Sequence, residues 1–82
     1  MKARVYITLK EGILDPQGKA VEHALSVLGF NQVEGVRIGK YLEIDLKAGS
    51  AADAEKSVKE MCEKLLANTV IESYRFELEA EA

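Results

Sequence analysis

Val36-Arg37-Ile38-Gly39-Lys40-Tyr41-Leu42-Glu43-Ile44-Asp45-Leu46 is the stretch whose reading decides the fold. Val36 and Ile38 alternate with Arg37, and Leu42, Ile44 and Leu46 alternate with Tyr41, Glu43, Asp45 and Lys47. Alternation of period two marks half-buried strands on both sides of Gly39-Lys40. Gly39-Lys40 itself reads as a tight turn, so the stretch predicts a hairpin of a short strand and a longer one. Gly35, just in front, reads as a bulge position.

Upstream, Val5, Ile7 and Leu9 alternate with Arg4, Tyr6 and Thr8, which predicts a first strand. Asp15-Pro16 then starts a helix. The Asp15 carboxylate can accept first-turn N–H groups, and Pro16 stands at the first helical position, where proline is tolerated best. Gly18 in that first turn adds nothing to local stability, since glycine is a poor helix former. Its presence predicts close approach of a neighbouring backbone or a partner protein. Val21, Ala24, Leu25 and Leu28 form one apolar stripe, and Gly29 supplies the stop.

Downstream, Ala48-Gly49-Ser50 reads as a loop, and Ser50 with Asp53 resembles a capping box with Asp in place of Glu. The next helix carries Ala54, Val58, Met61, Cys62 and Leu65 on one face and charges of both signs on the other, ending at Asn68-Thr69. Val70, Tyr74, Phe76 and Leu78 alternate with Ile71, Ser73, Arg75 and Glu77 in a last strand, and Glu79 to Ala82 reads as a frayed tail. The order predicts an α+β, ferredoxin-like β-α-β-β-α-β domain: a four-stranded antiparallel sheet with two helices on one face. The other face would show Arg4, Tyr6, Thr8, Arg37, Tyr41, Glu43, Asp45, Ser73, Arg75 and Glu77, polar but with two tyrosines. That open face, or the edge strands, would serve self-association.

The chain has 82 residues, 48% hydrophobic and 30% charged, which predicts one domain spanning 1–82 with a modest core. A net charge of −3 and a pI near 5.1 argue against general nucleic-acid or anionic-membrane binding, which favour a basic face. One cysteine, Cys62, excludes an internal disulfide and a multi-cysteine metal cage. Neither a signal peptide nor a membrane span is legible, so the cytoplasm is the expected location.

No catalytic set can be read. His23 is the single histidine and has no neighbouring ligands at metal spacing, so it reads as a surface or boundary residue. Cys62, on an apolar stripe, reads as a buried structural thiol. Neither a Ser-His-Asp nor a Cys-His nor an HExxH arrangement is present, and the glycines spell no phosphate loop. Glu43 and Asp45 share a strand face, but beside Arg4, Arg37 and Arg75 they read as cross-strand ion pairs rather than as an acid–base pair. Tyr6 and Tyr41 invite comparison with RNA-recognition motifs, which share the fold order. The later aromatic positions of that pattern are missing here, and Glu43 and Asp45 would repel phosphates. The Arg37-to-Lys40 turn reads either as a solubilising turn or as a basic knob docking on a partner.

Taken together, Gly12-Ile13-Leu14-Asp15-Pro16-Gln17-Gly18-Lys19-Ala20-Val21, Ala24-Leu25, Leu28-Gly29-Phe30 and Val36-Arg37-Ile38-Gly39-Lys40 resemble the PurS family. This is the small subunit of bacterial and archaeal phosphoribosylformylglycinamidine synthase. The likeness runs on through Cys62 to Asn68 and Val70 to Tyr74, with Thr69 where the family often has proline. It implies an assembly subunit of an ATP-dependent, glutamine-hydrolysing ligase of purine synthesis, without catalytic residues, cofactor or metal of its own. ATP and Mg would be used by a large synthetase subunit, and ammonia would come from a separate glutaminase. The chain would be a homodimer or tetramer bridging the two and supporting ammonia transfer. Leu14, Asp15, Pro16, Gln17, Gly18, Arg37, Gly39 and Lys40, which match the family motifs, would form the partner contacts. A small-molecule sensor of the ACT type, with Gly12 near its ligand, and the RNA-binding module are the competing readings.

Overall fold

The computed structural model describes residues 1–47 and 49–80. The elements are β1 (Lys2–Leu9), α1 (Pro16–Val27), β2 (Gly39–Asp45), α2 (Ala51–Met61) continued by a π-helical turn (Cys62–Leu66), and β3 (Glu72–Glu79). Among the described residues the sheet has three antiparallel strands in the order β2-β1-β3. The predicted four-stranded sheet is therefore corrected to three for the single chain. Ala48 of the expected loop and Glu81-Ala82 of the expected tail lie outside the described residues, while Glu79 pairs with Lys2.

The missing strand is the one before Gly39. Among the described residues Val36-Arg37-Ile38 pairs with no strand, and Gly39 and Lys40 make no turn. They lie in the β1–β2 ladder opposite Thr8 and Ile7. The physical reason is facial. A two-residue turn at Gly39-Lys40 would set Val36 opposite Glu43 and Ile38 opposite Tyr41, mixing the two faces of the sheet. Run straight through, Val36, Ile38, Leu42 and Ile44 keep one face, with Lys40 in line. Lys40 then stands at the end of the apolar side, 3.7 Å from the Glu72 carboxylate, whose side chain is only 15% exposed.

Registers elsewhere follow the alternation. Ala3, Val5 and Ile7 are fully buried opposite Ile44, Leu42 and Lys40 on one side and Leu78, Phe76 and Tyr74 on the other. Val58 of α2 and Cys62 of the π turn seal this face, with Ala67 behind them. The π turn closes with the Ala67 N–H on the Cys62 carbonyl at 3.0 Å, and this wider turn changes the helix phase. Leu65, expected on the buried stripe, is thereby turned out to 82% exposure, and Leu66 turns in. Val70 and Ile71, expected in the last strand, instead form a turn organised by Asn68. Its carbonyl accepts from Ile71 and Glu72, and its side-chain oxygen accepts from Val70 at 3.2 Å.

The second expected helix covers the sheet as predicted; the first does not. Val27 and Leu28 are each 72% exposed, and Val21 and Phe30 are also exposed. The helix projects past the end of the sheet, so the chain measures 50 × 31 × 14 Å, with a radius of gyration of 16.3 Å. A compact domain of this length would have a radius near 12 Å. Its accessible surface, 6082 Å², exceeds by roughly 1,200 Å² what a compact monomer of this mass shows.

Candidate functional site

The two sequence motifs singled out above meet in space through Asp15. As the N-cap of α1 its carboxylate accepts the Gly18 N–H at 2.9 Å through one oxygen and the Ile38 N–H at 2.8 Å through the other. These bonds, that from Ile38 foremost, hold the Asp15 pKa below the usual carboxylate range. Gly18 is buried against the same segment: a Cβ there would press on the Val36 carbonyl inside 3.0 Å and on the Asp15 carboxylate at 2.8 Å. The close approach inferred from Gly18 is thus to a neighbouring backbone. Arg37 adds a third tie, its guanidinium donating to the Leu9 carbonyl at the end of β1.

What remains outward is Leu14, 72% exposed, with Pro16 and Gln17 beside it and Arg37 and Lys40 exposed further along. An open groove of about 480 Å³ lies next to it, lined by Leu9, Ile13, Leu14, Lys19, Val36 and Arg37 among others. Gly39 is not at a hairpin tip; its Cα side faces the Ile7 carbonyl too closely for any side chain.

The remaining candidates are dispersed. His23 is exposed on α1. Cys62 is fully buried, and burial pushes its thiol pKa up, away from reactivity. Among the described residues no group of three or more His, Cys, Asp or Glu side chains stands together as a metal site. Among the described residues no helix is long and apolar enough to cross a membrane. On the open face Tyr6 and Tyr41 rings lie 5.2 Å apart, and the Arg75 guanidinium sits 3.9 Å over the Tyr6 ring, engaging a face that base stacking would need. Glu43 pairs with Lys2 at 3.3 Å rather than with an arginine, Arg4 pairs with Glu79, and Arg75 with Glu77.

The class the geometry defines is a small α+β chain whose two motifs join its own segments and whose first helix leaves apolar surface bare. Comparison with known proteins gives the family. Residues 2–80 match the family model PurS, described as phosphoribosylformylglycinamidine (FGAM) synthase, and the chain belongs to the PurS family. It is 59% identical to the PurS subunit of phosphoribosylformylglycinamidine synthase from Bacillus subtilis, over 95% of this chain and 92% of that one. The solved B. subtilis PurS superposes with a TM-score of 0.86 at 58% identity, covering 96% and 98% of the two chains. Methanocaldococcus jannaschii PurS, titled as one of the subunits of formylglycinamide ribonucleotide amidotransferase, superposes at 0.89 with 41% identity, over 99% and 98%. A chain of the PurLQS structure from Thermotoga maritima gives 0.86 at 29% identity, over 93% of each. The sensor and RNA-binding readings are not favoured by these findings.

Proposed function

We propose that the chain works as a homodimeric, non-catalytic subunit of phosphoribosylformylglycinamidine synthase, bridging a glutaminase subunit and a synthetase subunit and supporting ammonia transfer between them. Family membership makes it a subunit of this enzyme of purine biosynthesis; the bridging role is the proposal. In this reading ATP and Mg are used by the synthetase subunit, and this chain binds neither. The completed ferredoxin-like arrangement, with a fourth strand and a second covering helix, belongs to the assembled rather than the single chain, and the work is done in the cytoplasm.

The carrying observation is the lock between the two motifs. Asp15 and Gly18 are used internally, and they fix the helix start against Val36-Ile38 with Leu14, Pro16 and Gln17 exposed beside it. Arg37, Gly39 and Lys40 continue it. A preset patch on a projecting helix start suits docking, because little side-chain and loop order is lost on binding. The contribution to rate is positional: two sites held in register let ammonia pass before it is protonated or lost to water.

The test is reconstitution with purified glutaminase and synthetase subunits in the presence of ATP, Mg and glutamine. The three proteins should co-elute on gel filtration, and Leu14→Glu should weaken co-elution without changing the circular dichroism of the chain. Co-elution unaffected by that change would remove Leu14 from the contact. Failure of the unaltered chain to co-elute would defeat the bridging reading.

A further inference from the structure

We propose that a small pocket, where the start of α1 meets the end of β1 and the starts of β2 and β3, receives one arginine side chain of another subunit of the synthase. The inference rests on the bridging reading above and adds the point of anchorage and the chemistry of the anchor.

The pocket has a volume of about 230 Å³. Ile7, Leu9 and Ile38 give it apolar walls, and Asp15, Gln17, Lys40 and Glu72 bring polar groups to it. Those polar residues come from three stretches far apart in the chain, each of which carries part of the family likeness: Gly12 to Val21, Val36 to Lys40 and Val70 to Tyr74. The fold thus brings all three stretches to one cavity.

Lys40 and Glu72 are out of place on this side of the sheet. Lys40 interrupts the apolar row of Val36, Ile38, Leu42 and Ile44, and Glu72 heads the row of Tyr74, Phe76 and Leu78. Charges set among apolar positions cost stability and mark a place where a local rule is broken for function. The two do not satisfy each other. At 3.7 Å the ammonium is beyond hydrogen-bond reach of Glu72 Oε2, and the Lys40 side chain is 62% exposed. The carboxylates are fixed by backbone instead. Glu72 Oε1 accepts the Asn68 N–H at 2.7 Å, and Asp15 accepts from Gly18 and Ile38. The pocket therefore holds two anchored anions and one loosely held cation.

Size and charge select the occupant. The volume lies below the range of about 300–1,000 Å³ that small-molecule sites take, so it suits a single side chain. Interface anchors that fill pockets are most often tryptophan, tyrosine or arginine. Two carboxylates and one ammonium leave the lining one negative charge in excess, which favours a cation. Arginine fits better than lysine. Its stem lies against Ile7, Leu9 and Ile38, its planar fork grips a carboxylate through two N–H groups, and it is less strongly hydrated than an ammonium. Lys40, mostly exposed on a flexible stem, swings out as the guanidinium takes its place on Glu72. The carboxylates are already positioned, so little order is lost when the anchor enters.

The experiment has two arms, both on the full chain. In the first, the affinity of the unaltered chain and of Glu72→Gln for the purified glutaminase and synthetase subunits is measured by gel filtration at falling concentration. Glutamine keeps an acceptor for the Asn68 N–H but removes the charge, so binding should weaken roughly tenfold or more while the circular dichroism stays the same. In the second, the isotope-labelled unaltered chain is titrated with N-acetyl-arginine amide and read by NMR, which needs no variant to fold. The backbone amides of Ile38, Gly39 and Glu72 should shift saturably, with a Kd in the millimolar range. N-acetyl-norvaline amide, which has the stem without the guanidinium, should leave them unmoved. Undiminished binding by Glu72→Gln, no saturable shift, or an equal response to the norvaline amide would each overturn the arginine pocket and leave the bridging reading standing. If the unaltered chain binds neither subunit, the bridging reading falls and this inference falls with it.

Discussion

Gly18→Ala puts the lock between the two motifs to a quantitative test. Helix propensity alone favours the change, since alanine is better than glycine in a helix by about 1 kcal/mol. The structure opposes it. The new methyl would stand inside 3.0 Å of the Val36 carbonyl and 2.8 Å from an Asp15 carboxylate oxygen, distances that real Cβ atoms do not occupy. Either residues 36–38 draw back, giving up the Ile38 bond to Asp15, or the first turn of α1 shifts. Overpacking of this kind costs about 1–3 kcal/mol. Set against the propensity gain, the net loss is about 0–2 kcal/mol, which for a chain of this size lowers Tm by up to roughly 15 °C. The assay is thermal unfolding by circular dichroism at one fixed protein concentration, because association makes Tm concentration-dependent. Gly35→Ala is the control: nothing lies within 4 Å of its Cβ position, and its φ is not positive. It should stay within about 0.5 kcal/mol of the unaltered chain. A Gly18→Ala chain more stable than the unaltered one by the full propensity gain would refute the close packing of α1 on residues 36–38.

Asp15 sets a pH dependence. Its folded pKa lies below the unfolded value, so its stabilisation is present above the unfolded value and lost as pH falls below about 4 toward the folded one. Tm measured from pH 7 to pH 3 should fall less steeply for Asp15→Asn than for the unaltered chain; equal slopes would remove Asp15 as a contributor. Glu72 receives the Asn68 N–H at 2.7 Å and faces Lys40, so Glu72→Ala should cost about 1 kcal/mol in urea unfolding. An unchanged midpoint would show the turn after α2 to be held otherwise. Cys62 is fully buried, so a thiol reagent should label it only as fast as the chain unfolds, and rapid labelling under native conditions would contradict its place in the core.

The sheet faces were legible because alternation and burial share one cause: the registers set Arg4, Tyr6, Tyr41 and Arg75 together on the polar side, as the period-two pattern implies. Both caps were legible too, since Asp15 and Ser50 act locally. The hairpin was misread because Gly39-Lys40 has turn chemistry, yet the signal against it was in the sequence: Val36, Ile38, Leu42 and Ile44 share parity, which a two-residue turn would break. The stripe of α1 was legible as apolar, but no local pattern says whether the chain's own sheet covers it. The outward turn of Leu65 depends on the π turn after Met61, whose cause is tertiary fit around Cys62 and Ala67 and leaves no mark in periodicity.

The coupling role is tested most directly by comparing the glutamine-dependent and ammonia-dependent activities of the reconstituted synthase with and without this chain. The account predicts that omitting the chain abolishes glutamine-dependent formation of the amidine product while activity with added ammonia persists. Full glutamine-dependent activity in its absence would contradict it.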